Sequence, residues 1–226
     1  MTDQNDTTPA NAQEFTQEDY QAQHKERLSY MPWLYHSLKP KLKAWAKPWQ
    51  EALQARLSHL ETVHFGEDCF IAPSARLFAE PGRTIVIGDQ STIAANVFLH
   101  GPATLGKQVA INHSVSMDGG SSGISIGDHT RIACQCTFFA FNHGLAADML
   151  VREQAVSSKG IVIGKDVWIG ANTSVVDGIT ISNHAVIGMG SVVTQDIPEY
   201  AIAVGNPAKV IGDRRDKPDA QWDWVT

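Results

Sequence analysis

Long apolar runs are missing from this 226-residue sequence. None approaches the ~20 residues that a membrane-spanning helix needs. The N-terminus carries no signal-peptide core, so a soluble, cytoplasmic protein is expected. Positive charge is in deficit, with 18 Lys and Arg against 24 Asp and Glu and a formal charge of −6. Neutralising a phosphate backbone takes a basic face, so nucleic acid is not expected as a partner. Cysteine is scarce: Cys69, Cys134 and Cys136 make three, an odd number without the spacing of a four-ligand zinc site. Cys136 falls on an inward position of the repeat described next, so buried free thiols are expected.

What the sequence does have is a period of six. From Ile163 onward each block opens with an aliphatic residue, Ile163, Ile169, Val175, Ile181, Ile187 and Val193. The fifth position of each block is usually small: Val167, Thr173, Ile179, Ala185, Ser191 and Ile197. Second positions favour glycine or another small residue, as at Gly164, Gly170, Ser182 and Gly188. This period fits neither a helix nor a simple alternating strand. It predicts a β-solenoid, in which each short strand turns one aliphatic inward before the chain rounds a corner. Earlier blocks open at Ile71 and Leu77, then at Ile87, Ile93, Leu99, Leu105, Ile111 and Met117, and again at Ile126, Ile132 and Phe138. The phase breaks at Glu80–Thr84 and at Gly119–Gly123, and most widely between Phe138 and Ile163. The widest break must leave the solenoid as a loop, and such insertions gather on one face and often build the site.

The expected organisation is therefore an all-β solenoid over 62–204 with one long protruding loop at 143–160. A polar, acidic head at 1–15 is expected to be disordered, a helical segment to fill 16–61, and a tail to occupy 205–226. Trp222 and Trp224 of that tail are candidates to pack on a neighbour. Thr16 with Asp19 makes a capping-box-like start for a helix reaching about Tyr30. Pro32, Pro40 and Pro48 predict short pieces, with a second helix after Pro48 carrying Trp49, Leu53, Leu57 and Leu60 on one face. Trp33, Trp45 and Trp49 stand beside Lys39, Lys41, Lys43 and Lys47, so residues 33–49 can make weak contact with an anionic membrane surface. The alternative, which is preferred, is that the tryptophans pack on the solenoid or a neighbouring subunit while the lysines stay solvated. An open solenoid end exposes unpaired strand edges, and this segment is the candidate to cap it.

Several stretches are more specific than the repeat itself. They are Asn142-His143 before the loop, Gly160-Ile161-Val162-Ile163-Gly164 and Val167-Trp168-Ile169-Gly170-Ala171-Asn172 after it, and Gly190-Ser191-Val192-Val193-Thr194. Ile197-Pro198 and Val204-Gly205-Asn206-Pro207-Ala208-Lys209-Val210-Ile211 complete the pattern. On these, from about Phe65 to Arg215, the sequence resembles the hexapeptide-repeat acyltransferases, the family of galactoside, maltose, serine and xenobiotic acetyltransferases. The resemblance implies a left-handed parallel β-helix with three blocks per coil, a homotrimer, and acetyl-CoA bound between neighbouring subunits. The left hand departs from the usual crossover rule and comes from the resemblance alone. The N-terminal segment does not match the helical motif of the maltose and galactoside branch. A sugar- or polysaccharide-modifying O-acetyltransferase is the closer likeness.

The expected reaction moves an acetyl group from acetyl-CoA to a hydroxyl of a sugar or glycan precursor. Attack by the hydroxyl needs a base, and a histidine with an ordinary pKa near 6.5 serves. His143 stands where the regular coil ends, and it matches the family's catalytic histidine. Asn142 breaks the small-apolar rule at a fifth position and is either an acceptor ligand or a satisfied corner residue. Glu153 and Asp148, or a backbone carbonyl, are candidates to orient the imidazole, and Glu153 is also a candidate to bind the acceptor. Family positions suggest a backbone N–H near Gly170 or Ala171 for the oxyanion. Trp168 matches a tryptophan beside the pantetheine arm, with plain interface packing as the alternative. Gly188, Gly190 and Ser191 would let the pantetheine lie close to the backbone. Lys209, with Arg214 and Arg215, supplies charge where the family holds the CoA phosphates.

Other readings predict different things. An N-acetyltransferase acting on an amino sugar or a xenobiotic amine would keep the same chemistry. The same fold hosts γ-type carbonic anhydrases, and His100 and His113 invite that comparison. Yet His100, His113, His129 and His143 fall at four different positions of their blocks, so no compact metal shell is expected. A non-catalytic scaffold is the third alternative.

Overall fold

The computed structural model describes residues 15–216. The head at residues 1–14 and the Trp222–Trp224 stretch of the tail lie outside the described residues. A parallel β-solenoid of six coils forms, and each coil has three short strands. The first coil holds β1 (Val63–Phe65), β2 (Phe70–Ile71) and β3 (Arg76–Phe78), and the second β4 (Ile85–Ile87), β5 (Thr92–Ile93) and β6 (Phe98–His100). The third holds β7 (Ala103–Leu105), β8 (Ala110–Ile111) and β9 (Ser116–Asp118), and the fourth β10 (Ile124–Ile126), β11 (Arg131–Ile132) and β12 (Thr137–Phe139). After the long loop come β13 (Ile161–Ile163), β14 (Trp168–Ile169) and β15 (Ser174–Val175), then β16 (Thr180–Ile181), β17 (Val186–Ile187) and β18 (Val192–Val193). Every third strand stacks in parallel, which gives a first, a second and a third sheet as the faces of a prism. The solenoid is the left-handed parallel β-helix that the sequence led us to expect.

The period of six follows from this geometry. Block openers such as Ile93, Ile111, Ile169, Ile181, Ile187 and Val193 are completely buried and stack into the core. Fifth-position hydroxyls are buried too, and each satisfies a corner carbonyl. Ser91 donates to Gly106 O at 2.9 Å, Thr130 to Gly164 O at 2.8 Å, and Ser191 to Gly188 O at 2.7 Å. Most corners also place one residue in the left-handed region: Gln90, Gln108, His129, Asp166 and His184 between the first and second sheets, and Asn96, Ser114, Gln135 and Asn172 between the second and third. None of the nine is β-branched, and Asn, Asp and His are the side chains that most readily tolerate that conformation. His129 is thus a corner residue, far from the corner of His113, and the sequence histidines do spread over different faces.

Cys69 and Cys136 are buried free thiols, as expected, whereas Cys134 is half-buried. Burial raises both buried thiols, Cys136 to about 11. Because only thiolate reacts readily, a thiol reagent at pH 8 is expected to titrate Cys134 alone in the native protein. All three should react after denaturation. Native modification of Cys136 would contradict this burial.

The N-terminal segment caps the first coil. Helix α1 (Gln17–Tyr30) begins at Thr16 with the full capping box, Thr16 and Asp19 bonding each other's backbone N–H. A 3-10 turn, Pro32–Ser37, leads to α2 (Pro40–Leu60). The expected break at Pro48 does not occur, because Pro40 opens the helix and Pro48 lies inside it. The ring of Pro48 costs the helix one hydrogen bond to Ala44. Both residues are exposed, so the freed carbonyl is open to solvent. Leu53 and Leu57 pack on the core, while Leu60 is exposed, so the expected face is one turn shorter. Trp45 and Trp49 pack in a second small core with Tyr35 and Phe70, and Lys25 lies over both indoles. Trp33 stays 52% exposed.

At the other end β19 (Ala201–Val204) continues the second sheet, and β20 (Lys209–Asp213) folds back on it antiparallel. The Gly205–Ala208 stretch is the turn of that hairpin.

Candidate functional site

The three breaks in phase fall at one corner of the prism, between the third and first sheets. There the chain leaves the fourth coil after the buried Ala140. Asn142 and Ser157 exchange backbone hydrogen bonds at 2.8 Å each, which pinches the neck of the loop. Inside the loop the Gln154 amide accepts from Ala146 N–H and donates to the carbonyls of Ala146 and Met149. On return, Lys159 and Gly160 donate backbone N–H bonds to Asp177 of the next coil at 2.8 and 2.9 Å. Asp177 is buried, and the Asn142 carboxamide also donates to it at 3.3 Å. Sequence reasoning missed both Asp177 and Gln154. The one local signal was an acidic residue before Gly178, which sits at φ +80° in that turn.

His143 stands just past this neck, exposed, with its ring edge-on to Phe141 at 6.1 Å and 77°. Neither expected carboxylate hydrogen-bonds it: Glu153 pairs with Arg152 at 3.6 Å, and Asp148 is exposed. Asn142 is a corner residue already engaged by Asp177. Two coils earlier on the same corner, His100 bridges Asp118 and Glu80 at 3.1 Å each. Partial burial pulls its pKa down, but these carboxylates outweigh that and raise it.

The expected donor residues lie elsewhere. Gly170 and Ala171 form the fifth-coil corner between the second and third sheets, and Gly188 and Gly190 form the sixth-coil corner above it. Trp168 lies beside them on the outer face of the second sheet, and Lys209 is exposed at the start of β20. One chain therefore carries His143 and the residues expected to hold the donor at two different corners of the prism.

The glycines have internal reasons as well. A Cβ on Gly170 would stand 2.5 Å from Met189 N, and one on Gly188 would stand 2.6 Å from the Val204 side chain. Gly190 needs its φ of +72°. Gly170→Ala is thus expected to destabilise the chain by about 1–3 kcal/mol without any ligand present. Denaturant unfolding measures this, and an unchanged midpoint would assign the glycine to ligand clearance alone. The Gly170 N–H is committed to Ile187 O at 2.8 Å. Ala171 N–H donates no hydrogen bond among the described residues, so of the two it is the N–H available to an oxyanion.

The C-terminal cations divide. Arg214 turns onto its own chain, donating to Asp166 Oδ2 at 3.0 Å and to the carbonyls of Asp166 and His184. Arg215 grips Asp213, whose carboxyl is held down at about 2 by that guanidinium. Of the expected set, Lys209 is the one left exposed without such a partner among the described residues.

A family model described as a hexapeptide repeat of succinyl-transferase matches residues 160–195. A probable acetyltransferase of Mycobacterium tuberculosis is 36% identical over 137 residues, covering 60% of this chain and 44% of that relative. The galactoside O-acetyltransferase of Escherichia coli is 37% identical over 94 residues, covering 42% of this chain and 46% of its own. The chain spans about half the length of the curated relatives it matches. Among solved structures, an N-acyltransferase from Bacillus cereus in complex with dTDP and 3-hydroxybutyryl-CoA superposes with a TM-score of 0.64 at 24% identity, covering 73% of this chain and 89% of that one. A hexapeptide-repeat acetyltransferase from Vibrio cholerae superposes at 0.53 and 24% identity, covering 88% and 94%. In its repeat, its fold and its curated relatives, the chain is similar to the hexapeptide-repeat acetyltransferases.

Proposed function

We propose that the protein is a CoA-dependent acetyltransferase that moves an acetyl group from acetyl-CoA to a sugar hydroxyl, with His143 as the general base. The observation that carries this reading is the pairing of an exposed histidine at the neck of a pinned loop with curated relatives that include a galactoside O-acetyltransferase. In the reaction, the acceptor hydroxyl loses its proton to the His143 imidazole as its oxygen attacks the thioester carbonyl. The oxyanion is met by Ala171 N–H. Collapse breaks the C–S bond, and the proton returns from the imidazole to the departing thiolate. Lys209 serves the donor's phosphates as a point charge, and Trp168 flanks its pantetheine arm.

Two corners of one prism cannot meet, so His143 of one subunit must act on acetyl-CoA held at the Gly170–Gly190 corner of another. A homotrimer closes such head-to-tail contacts into a ring. The exposed apolar residues Leu145, Met149, Leu150, Val151 and Val156 of the loop then have a neighbour to cover them. A second reading, N-acetylation of an amino sugar, is favoured by the fold neighbour being an N-acyltransferase. Free thiol release from acetyl-CoA, measured against panels of sugars, amino sugars and nucleotide sugars, tests both. Turnover with a hydroxyl acceptor supports the first reading, and turnover confined to amines selects the second. Hydrolysis of no thioester with any acceptor overturns both.

A further inference from the structure

Along the outer face of the second sheet Thr92, Ala110, Arg131 and Trp168 stand in lateral register on successive strands, about 4.8 Å apart. Thr92 is buried, Ala110 is small, and Arg131 is exposed. Trp33, from the 3-10 turn, rises beside this row. Two adjoining cavities of ≈ 410 and ≈ 180 Å³ share Trp33, Ala110 and Arg131. Together they make one groove running from Gln90 and Gln108 at the corner to Trp168; Asp68 and His36 also line its wider end, where the Asp68 carboxylate is taken up by Lys43 at 2.8 Å and faces His36 at 3.5 Å. The two amides bond each other at 2.6 Å, leaving Gln90 NH₂ and Gln108 carbonyl capacity at the rim. Arg83, Arg152, Arg214 and Arg215 each face a carboxylate, whereas the Arg131 guanidinium, like those of Arg27, Arg56 and Arg76, has no ion pair or hydrogen bond among the described residues; of these four, Arg131 is the one that lines the groove.

We propose that this groove binds the acceptor as an anionic saccharide. The apolar face of the sugar ring packs on Trp33, as sugar C–H groups pack on indoles, and its hydroxyls meet the Gln90–Gln108 amides. Its carboxylate or phosphate is held by Arg131, whose planar fork matches either group. The inference rests on the acetyltransferase reading for one point only. The groove ends at Trp168, where the donor's acyl end would lie, so a sugar held along it presents a hydroxyl to the thioester.

Calorimetry on the full chain without acetyl-CoA, using glucuronic acid, glucose 6-phosphate, glucose and inorganic phosphate, tests the groove apart from turnover. Either anionic sugar should bind about 10-fold or more tightly than glucose and than phosphate, and the tighter of the two assigns the anion as carboxylate or phosphate. Arg131→Gln should erase that preference, a loss of roughly 10- to 100-fold, and leave glucose unaffected. Trp33→Ala should weaken all three sugars, and Trp33→Phe should retain them. Equal affinity for glucose and its anionic counterparts, equal affinity for phosphate and glucose 6-phosphate, or indifference to Arg131→Gln would overturn the proposal. So would the absence of binding. Binding that follows the expected pattern while acetyl transfer fails would leave the groove standing and remove only the acetyltransferase reading.

Discussion

His143→Ala is expected to lower acetyl transfer by about 10²- to 10⁴-fold, the usual contribution of a positioned general base. Acetyl-CoA binding and the unfolding midpoint should both be unchanged. The stability half of this expectation follows from the geometry: the imidazole is exposed, and among the described residues it makes a ring contact edge-on to Phe141 and no side-chain hydrogen bond, so its removal leaves no cavity and no orphaned buried group. The binding half follows from where the donor is expected to be gripped: Trp168, the Gly170–Gly190 corner and Lys209 of the neighbouring subunit hold its arm and phosphates, and the imidazole meets only its reacting end. Kinetics of thiol release beside direct measurement of acetyl-CoA affinity separate the two. A mutant that turns over normally sinks the assignment of the base, and one that loses acetyl-CoA affinity makes the imidazole part of the donor's grip as well. Mixing makes the division sharper. Co-assembled His143→Ala and Trp168→Ala chains should recover part of the wild-type rate, because some boundaries then pair an intact histidine with an intact donor face.

Legibility in the sequence tracked contact range. The stacked openers were readable because they obey a local rule: an aliphatic every six residues can only face inward on three short faces. The capping box at Thr16 is equally local. The left-handed corner residues were not read, although Asp, Asn or His at the fourth position suits that conformation. Residues whose role depends on a distant backbone were not readable. Asp177 receives N–H groups 17 and 18 residues upstream, and Arg214 finds Asp166 48 residues away. Nothing in either local stretch announces those partners. Pro48 misled for a related reason: what a proline costs a helix depends on whether the freed carbonyl faces water, and that is a property of the packed surface. The site was half legible. His143 was placed by its position before the loop, but its expected carboxylate partners were not found beside it, and the glycines read as ligand clearance are also demanded by the next coil.

The first coil supplies the largest expected effect on stability. A parallel ladder leaves the outermost strand with N–H and C=O groups that no further coil can pair, and burying them unpaired costs about 1–3 kcal/mol each. Here a side chain takes the place of the missing coil. The Gln50 amide accepts from Ile71 N–H at 2.8 Å and donates to Ile71 O at 3.0 Å, as a neighbouring peptide group would. Gln54 donates to Cys69 O at 2.8 Å one helical turn on. Gln50 is only 1% exposed, so water cannot replace it without opening the helix from the coil. Gln50→Met keeps the length and bulk of the side chain and removes both hydrogen bonds to Ile71, together with the long one that Gln54 donates to the Gln50 carbonyl at 3.4 Å. At fixed protein concentration this variant should unfold about 2–4 kcal/mol more easily, and the Ile71 amide should lose hydrogen-exchange protection before the inner coils do. Gln54→Met should cost less, because Gln54 is half-buried and solvent can reach its carbonyl partner. If Gln50→Met unfolds within about 0.5 kcal/mol of the wild type, the helix covers the first coil by apolar contact alone, and the amide is incidental to the cap.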